Sequence, residues 1–515
     1  MYFNCAPWFR RSTERVDHGF LKSHASRCRR SNAVCGLAAA ILIPVILVLS
    51  SCGGTSSPSI TSVSYPITTP GTGATGSFFG QDTNVVDSAG DPWPGTVVPV
   101  TTWRTLGASV KWADIDTGVI SGSEDTYDFT RLDRALTFVQ QSGMDVIFTM
   151  YATPSWASSR GKNCTGVGSP VGCLGPANMD CAFQQQNGPG ICDPPIDLSC
   201  DGTGSNQIFQ NFVTALIHHV GPGKIKYWEM WNEPNISTEW NGGNDCAGSG
   251  VAHAGDLMLA RMARDMKVII TTVDPEAKFT TPAVSGDAGA WIADYFNNTD
   301  GGESADIIAF HGYTSQTGGC PSDCPLAEQI ADQTDQIAAD LPASQLGKPL
   351  FDTEGNWGFV RDENGNLASA ITDPDEQASF LARFYLIQMW KQVAKFSWYS
   401  WDYPLTQLYD PTTGSLTEAG SAYVQIVRWT NGGTAAVGPC SANGTVWTCT
   451  LTATNGAQAE AIWDTSQTCS SGNCTTNDVT VRSQFNAYLD LAGNVTAVAN
   501  GTAPVGLKPI LLIAQ

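Results

Sequence analysis

Two glutamates stand where acid–base chemistry would need them. Glu233 lies near the end of the run Lys224-Ile-Lys-Tyr-Trp-Glu-Met-Trp-Asn-Glu-Pro-Asn235, and Glu354 ends Lys348-Pro-Leu-Phe-Asp-Thr-Glu before Gly355. Both runs are apolar and strand-like, and each stops at a residue that breaks a ladder, Pro234 in one and Gly355 in the other. The pair is 121 residues apart in sequence, so only tertiary structure could bring it together. Two such carboxyls can divide one task. One protonates a leaving oxygen while the other attacks or stabilises the carbon from the opposite side. Glycosidic bonds are broken this way, and in retaining enzymes the carboxyls sit about 5–5.5 Å apart. Neighbouring groups must then keep one protonated and the other ionised. The competing reading of a strand-ending glutamate is a solvated loop carboxylate. Glu229 and Asp352 precede the pair by four and two residues. Two-residue alternation puts them on the same faces as their partners but deeper. They read as structural groups inside the fold, paired with Arg104 or with backbone.

The elements that must position this pair repeat along the chain. Strand-like runs lie at 77–80, 101–106, 145–151, 224–232, 278–282, 306–313, 348–354 and 396–401. Helical patterns lie between them at 130–142, 207–220, 256–273, 288–297, 326–340 and 376–391. Eight apolar strands separated by helices predict an α/β fold, a (β/α)8 TIM barrel. Glu233 then ends the fourth strand and Glu354 the seventh, both at the catalytic rim of such a barrel. Residues 159–205, rich in Cys and Gly, form a long insertion of the kind that is a functional rim or a disordered tract. From residue 431 short runs bounded by Gly, Asn and Ser predict a small C-terminal β-sandwich. The expected organisation is a leader at 1–52, a Ser/Thr/Gly/Pro-rich tether at 53–76, the barrel at 77–430 and the sandwich at 431–515.

The chain of 515 residues carries 27 Lys/Arg against 48 Asp/Glu, a formal charge of −21. Residues 1–35 hold seven of the basic residues and two of the acids, so the remainder is at −26. No basic stripe is left for a phosphate backbone, which argues against a nucleic-acid partner. An apolar run of 13 residues at 37–49 follows Arg27, Arg29 and Arg30. It is short for a membrane span of about 20 residues and reads as a secretory segment. It ends in Leu49-Ser50-Ser51-Cys52, which resembles a bacterial lipobox. That implies cleavage before Cys52 and a lipid on it, hence a chain anchored at the bacterial cell envelope; the alternatives are an ordinary signal peptide with secretion, or an uncleaved anchor. Beyond Cys52 the 12 remaining cysteines are expected in disulfides. Cys320/Cys324, Cys440/Cys449 and Cys469/Cys474 suggest themselves as close pairs. Cys164, Cys173, Cys181, Cys192, Cys200 and Cys246 would staple loops with connectivity open. No second Cys or His pair accompanies Cys320–Cys324 at zinc-ligand spacing, so neither a metal nor an organic cofactor is expected.

With both glutamates in these contexts, the chain resembles the clan of (β/α)8 retaining glycoside hydrolases with glutamates on strands four and seven. Within it the chain is most similar to glycoside hydrolase family 39 and related cellulase-like families. Tyr127-Asp-Phe-Thr-Arg-Leu-Asp133 and Thr153-Pro-Ser-Trp-Ala157 add to the likeness. The resemblance implies Glu233 as general acid/base, Glu354 as nucleophile and Asn232 as the group that binds a sugar 2-hydroxyl. It implies Arg104 beside the nucleophile, His311 and Tyr313 near the same carboxylate, and Trp401 as a ring platform under the sugar. Trp156 and Trp357 are further candidates, because sugar C–H faces stack on rings, although tryptophan also fills cores. The function it implies is that of a monomeric hydrolase of β-linked oligo- or polysaccharides, with a carbohydrate as substrate. A transglycosylase using the same intermediate and a non-catalytic glycan-binding lipoprotein remain as alternatives.

Overall fold

The computed structural model describes residues 64–67, 76–84, 92–120, 124–158, 190–236, 239–314, 326–362, 366–470 and 472–515. The leader, Cys52, most of the tether, Cys164, Cys173, Cys181, Cys320 and Cys324 lie outside the described residues. Among the described residues no helix is long and apolar enough to cross a membrane.

Eight parallel strands form the central sheet: β1 (Phe79–Asp82), β2 (Thr102–Arg104), β3 (Asp145–Met150), β4 (Tyr227–Met230), β5 (Lys278–Phe279), β6 (Ile308–Tyr313), β7 (Leu350–Asn356) and β8 (Lys395–Trp398). Hydrogen bonding runs in order β5-β4-β3-β2-β1-β8-β7-β6. Single bridges Thr280↔Ile307 and Val284↔Phe310 join the two ends, so the sheet closes into a barrel. All eight strands fall within or beside the runs expected from sequence. Their near-continuous burial is what a parallel sheet covered on both faces requires.

The longer helices among the described residues are α1 (Thr130–Ser142), α2 (Gln207–Val220), α3 (Ala254–Val273), α4 (Ala288–Asn298), α5 (Gln329–Asp340), α6 (Pro374–Trp390) and α7 (Glu418–Trp429). In α1, Leu132, Ala135, Leu136 and Val139 are buried at helical spacing, and Gly143 ends it with a left-handed φ of 65°. α6 begins with Asp373, whose side chain accepts from the N–H groups of Asp375 and Glu376, and has proline at its first turn. It is buried without interruption from Ala378 to Gln388. Such a helix is covered on all sides, here by the barrel on one flank and the C-terminal sheet on another. Between β2 and α1 an antiparallel hairpin, Asp116–Ile120 with Glu124–Tyr127, stands where the sequence pattern predicts no element.

The C-terminal region is antiparallel. Its six-stranded sheet runs β9 (Ala436–Asn443), β10 (Val446–Thr452), β11 (Gln458–Asp464), β16 (Ile510–Ile513), β13 (Ala487–Leu489), β14 (Val495–Ala497), and a ribbon pairs β12 (Thr476–Thr480) with β15 (Thr502–Gly506). Alternation divides the residues of β11 and β16. Ile462, Ile510 and Leu512 pack with Val505 and Phe485 in a small core of their own, while Ala461, Trp463, Leu511 and Ile513 join the main core. Polar contacts fasten the sheet to the barrel. Trp463 Nε1 donates to Glu328 Oε1 at 2.7 Å, and Lys508 pairs with Asp375 at 2.6 Å. Cys440–Cys449 and Cys469–Cys474 are bonded as expected, and Cys200–Cys246 ties the loop after β3 to the loop after β4.

The end of the long insertion is not a loose tract. Ile191, Cys192 and Asp193 are fully buried. The Ile191 carbonyl accepts from Thr153 N–H and the Cys192 carbonyl from Asn241 N–H, at 2.9 and 2.8 Å. This segment therefore braces the rim loops that follow β3 and β4.

Candidate active site

Glu233 and Glu354 meet at the carboxyl-terminal mouth of the barrel. One oxygen of each, together with a ring nitrogen of His311, lies within 4.8 Å of the others. The backbone that delivers Glu233 is unusual. Trp231 and Glu233 both adopt left-handed φ angles, 63° and 42°. This region costs a non-glycine residue roughly 1–2 kcal/mol, so neighbouring strands must impose it. They do so through Trp231 N–H to Met150 O at 2.9 Å and Glu233 N–H to Ala283 O at 2.7 Å.

Glu354 is delivered by an irregular β7. Phe310 pairs with Asp352 but His311 pairs with Glu354, so β7 carries one extra residue against β6. Its register against β8 shifts at the same place. A bulge of this kind re-aims the side chains that follow it. Here it turns Asp352 and Glu354 to opposite faces. Asp352 therefore does not share the barrel interior with Glu354, which corrects the two-residue alternation. Its carboxyl accepts from Gly312 N–H at 3.0 Å and from Gln388 of α6 at 2.8 Å, outside the barrel wall. Glycine at 312 lets the Asp352 carboxyl come this close, because a Cβ would stand 2.2 Å from Asp352 Oδ2 and displace it. Burial pushes Asp352 up to about 8.

Arg104, fully buried at the end of β2, organises the inner face. It donates from Nη1 to Glu354 Oε2 at 2.7 Å, from Nε and Nη2 to Glu229 Oε1 at 2.9 and 2.6 Å, and from Nη2 to Asn232 Oδ1 at 2.9 Å. Burial alone would lower its pKa, but Glu229, Asp82 and Glu354 outweigh it and raise it, so the guanidinium is a permanent cation. Glu229 is the internal partner of Arg104 expected from sequence. Tyr313 donates to Glu354 Oε1 at 2.6 Å. Glu354 thus has a donor on each oxygen.

His311 lies near Glu354, as the resemblance implies, its Nδ1 3.9 Å from Glu354 Oε2, but it is closer to Glu233, 2.7 Å from Oε1. Its Nε2 lies 3.3 Å from Arg104 Nη2. A guanidinium can only donate, so Nε2 accepts and Nδ1 carries the proton towards Glu233. Burial would raise Glu233, but the hydrogen bonds from His311 and Ser285 and the charge of Arg104 work against it, and Glu233 is held below the usual range. Burial works against charge on His311 as well, yet Glu354 and Glu233 raise its pKa.

The tryptophans fare differently. Trp401 is 1% exposed, stacks on Tyr409 and donates Nε1 to Pro92 O at 3.0 Å. Trp357 is 1% exposed and packs edge-on against Trp398 and Phe380 of α6. Neither has a face free for a sugar, which corrects both assignments; they are core residues. Trp156 is half-buried against the hairpin at Gly118 and keeps part of its ring open. The aromatic surface next to Glu354 is instead a row of Tyr313, Phe359, Tyr403 and Tyr399, with successive ring centroids 6.4, 5.8 and 6.0 Å apart.

Other residues of the mouth carried no sequence signal. Ser285 follows β5 and hydrogen-bonds Glu233. Asp82 ends β1 fully buried, 3.7 Å from Arg104 Nη1, and burial raises it well above the carboxylate range. Glu239 lies beyond Glu233 and is bonded by Tyr151. Glu233, His311 and Glu354 are close enough to share an ion, but the Arg104 guanidinium already supplies positive charge to Glu354. His253, Asp256 and Asp294 form a second cluster of similar spacing on the surface.

The fold is shared with solved glycoside hydrolases. The monomeric β-xylosidase of Caulobacter crescentus CB15 superposes with a TM-score of 0.54 at 13% identity, over 87% of this chain and 97% of that one. A family 39 glycoside hydrolase of the gut symbiont Bacteroides cellulosilyticus WH2 gives 0.52 at 14% identity, over 81% and 76%. A glucosidase of Croceicoccus marinus gives 0.51 at 11%, over 87% and 97%. At these identities the likeness is one of fold. No family model matches the chain and no curated protein matches it.

Proposed function

We propose that this protein is a glycoside hydrolase that cleaves β-linked O-glycosides by double displacement with retention. Glu354 attacks the anomeric carbon while Glu233 protonates the departing oxygen. The covalent glycosyl-enzyme is then hydrolysed by a water that Glu233 deprotonates. The single observation that carries this reading is the approach of the two carboxyls to within 4.8 Å, oxygen to oxygen. That is nearer the about 5–5.5 Å between the carboxyls of retaining enzymes than the about 6.5–9.5 Å of inverting ones. The surroundings agree with the role of Glu354, which Arg104 and Tyr313 orient by two donors. Around Glu233 they favour the ionised form, the one that deprotonates water in the second step. Asn232, with its oxygen on Arg104, is assigned to the sugar 2-hydroxyl, and Trp156 with the Tyr399–Tyr403 row to sugar faces. We further assign residues 77–430 to the catalytic barrel and 431–515 to an accessory sandwich, with export and a lipid on Cys52.

The test is the anomeric configuration of the first-formed product, followed by NMR on aryl β-glycosides. Retention is expected. Initial formation of the opposite anomer would remove the double displacement.

A further inference from the structure

The loop after β4 brings a third carboxyl to the mouth. Glu239 lies six residues beyond Glu233 and is buried. Its backbone is fixed at both ends. Its N–H donates to Ile236 O at 2.9 Å, and its carbonyl accepts from Trp231 Nε1 at 2.8 Å. At the side chain, Tyr151 at the end of β3 donates from Oη to Glu239 Oε2 at 2.5 Å. The Tyr151 ring is itself held edge-on against Trp231 at 5.2 Å. The Asn232 side chain also hydrogen-bonds the Glu239 carboxyl.

This contact decides how Asn232 is turned. Its oxygen accepts from Arg104 Nη2, so its amide nitrogen is the end that reaches Glu239. An amide nitrogen has two hydrogens. One is taken by Glu239 and one is left for a ligand. The path Arg104–Asn232–Glu239–Tyr151 is thus continuous from β2 to β3 through the loop after β4.

We propose that Glu239 is a positioning residue for the reaction put forward above: by bracing the Asn232 amide it fixes one N–H donor towards the 2-position of the sugar. The inference rests on that functional reading. It restricts the substrate class to glycosides whose 2-substituent offers an acceptor oxygen. Burial, and then the charge of Glu233, push Glu239 up to about 8. Below that pH its carboxyl is neutral, so glutamine matches its shape and charge and, with Oε1 turned to the Asn232 amide and Nε2 donating to the Tyr151 hydroxyl, keeps the brace.

The experiment compares kcat and KM of the full-length protein on an aryl β-glycoside and on its 2-deoxy counterpart. The variants are Glu239→Ala, Glu239→Gln, Tyr151→Phe, Asn232→Ala and the double Asn232→Ala/Glu239→Ala. On the parent glycoside, Glu239→Ala is expected to lower kcat about 10- to 100-fold, the effect of a misplaced group, with KM changing less. Glu239→Gln should restore it to within about twofold. Tyr151→Phe, which only loosens the brace, should show a smaller loss. On the 2-deoxy glycoside these losses should shrink to about twofold. Added to Asn232→Ala, Glu239→Ala should cost no more than that, the scatter expected of independent sites. A loss that persists on the 2-deoxy substrate, or that adds in full to Asn232→Ala, would show that Glu239 acts through the fold, and would overturn the inference alone. A wild-type chain that turns over no β-glycoside would overturn the functional reading, and this inference with it.

Discussion

The two faces of β7 treat a buried carboxyl in opposite ways. Glu354, on the inner face, meets the Arg104 cation at 2.7 Å and the Tyr313 hydroxyl at 2.6 Å. Asp352, two residues earlier, faces α6 and meets only the neutral donors Gly312 N–H and Gln388. Burial then dominates and raises it to about 8. A carboxyl taken out of water and met only by dipoles, as Asp352 is, holds its proton. One strand therefore presents the carboxyl proposed as nucleophile on one side and a structural acid on the other. The bulge between them makes the separation possible.

The largest expected effect falls on the inner face. Glu354→Gln should lower kcat/KM by more than about 10⁴-fold, as loss of a nucleophile does, with little change in melting temperature. Retained turnover would place the chemistry elsewhere. Removing the cation should instead show up in stability. Arg104→Met leaves Glu229 buried without its partner, which costs about 3–5 kcal/mol; chemical denaturation measures it, and a loss under about 1 kcal/mol would mean that Arg104 does not organise this face. The outer face should respond to pH. The native state keeps a proton on Asp352 that the unfolded chain releases near pH 4, so this group makes stability fall as pH rises from about 4 to about 8, and adds no slope above. Asp352→Asn should flatten that fall by up to about 1.4 kcal/mol per pH unit while leaving activity intact. An unchanged slope would mean that Asp352 is ionised in the fold.

The elements that carry the contrast are partly visible in the sequence. The strand motifs identify Glu233 and Glu354, although Gly355 does not end its strand as expected: β7 runs on to Asn356, with Gly355 paired to Gly312 and Trp398. The eight barrel strands and six of the seven longer helices among the described residues follow from apolar patterning. The bulge in β7 does not, since one inserted residue leaves an apolar run looking the same while turning Asp352 outwards. Strand β9 escapes the pattern because Gly438-Pro439 reads as a turn; the register shift between Val437 and Cys440 accommodates it. Tryptophan type alone does not separate core from cleft, so it points Trp401 and Trp357 to the sugar although both are packed inside. Ser285 and Glu239 sit in loops whose closure depends on contacts with other strands, which local spacing does not report.

The central claim is that Glu354 forms a covalent bond to the sugar. The direct test is a 2-fluoro β-glycoside with an activated leaving group, incubated with the full-length protein and followed by peptide mass spectrometry. The account predicts one added fluoroglycosyl mass on the peptide that contains Glu354, and none in Glu354→Gln. An adduct on another residue, or turnover with no adduct, would contradict it.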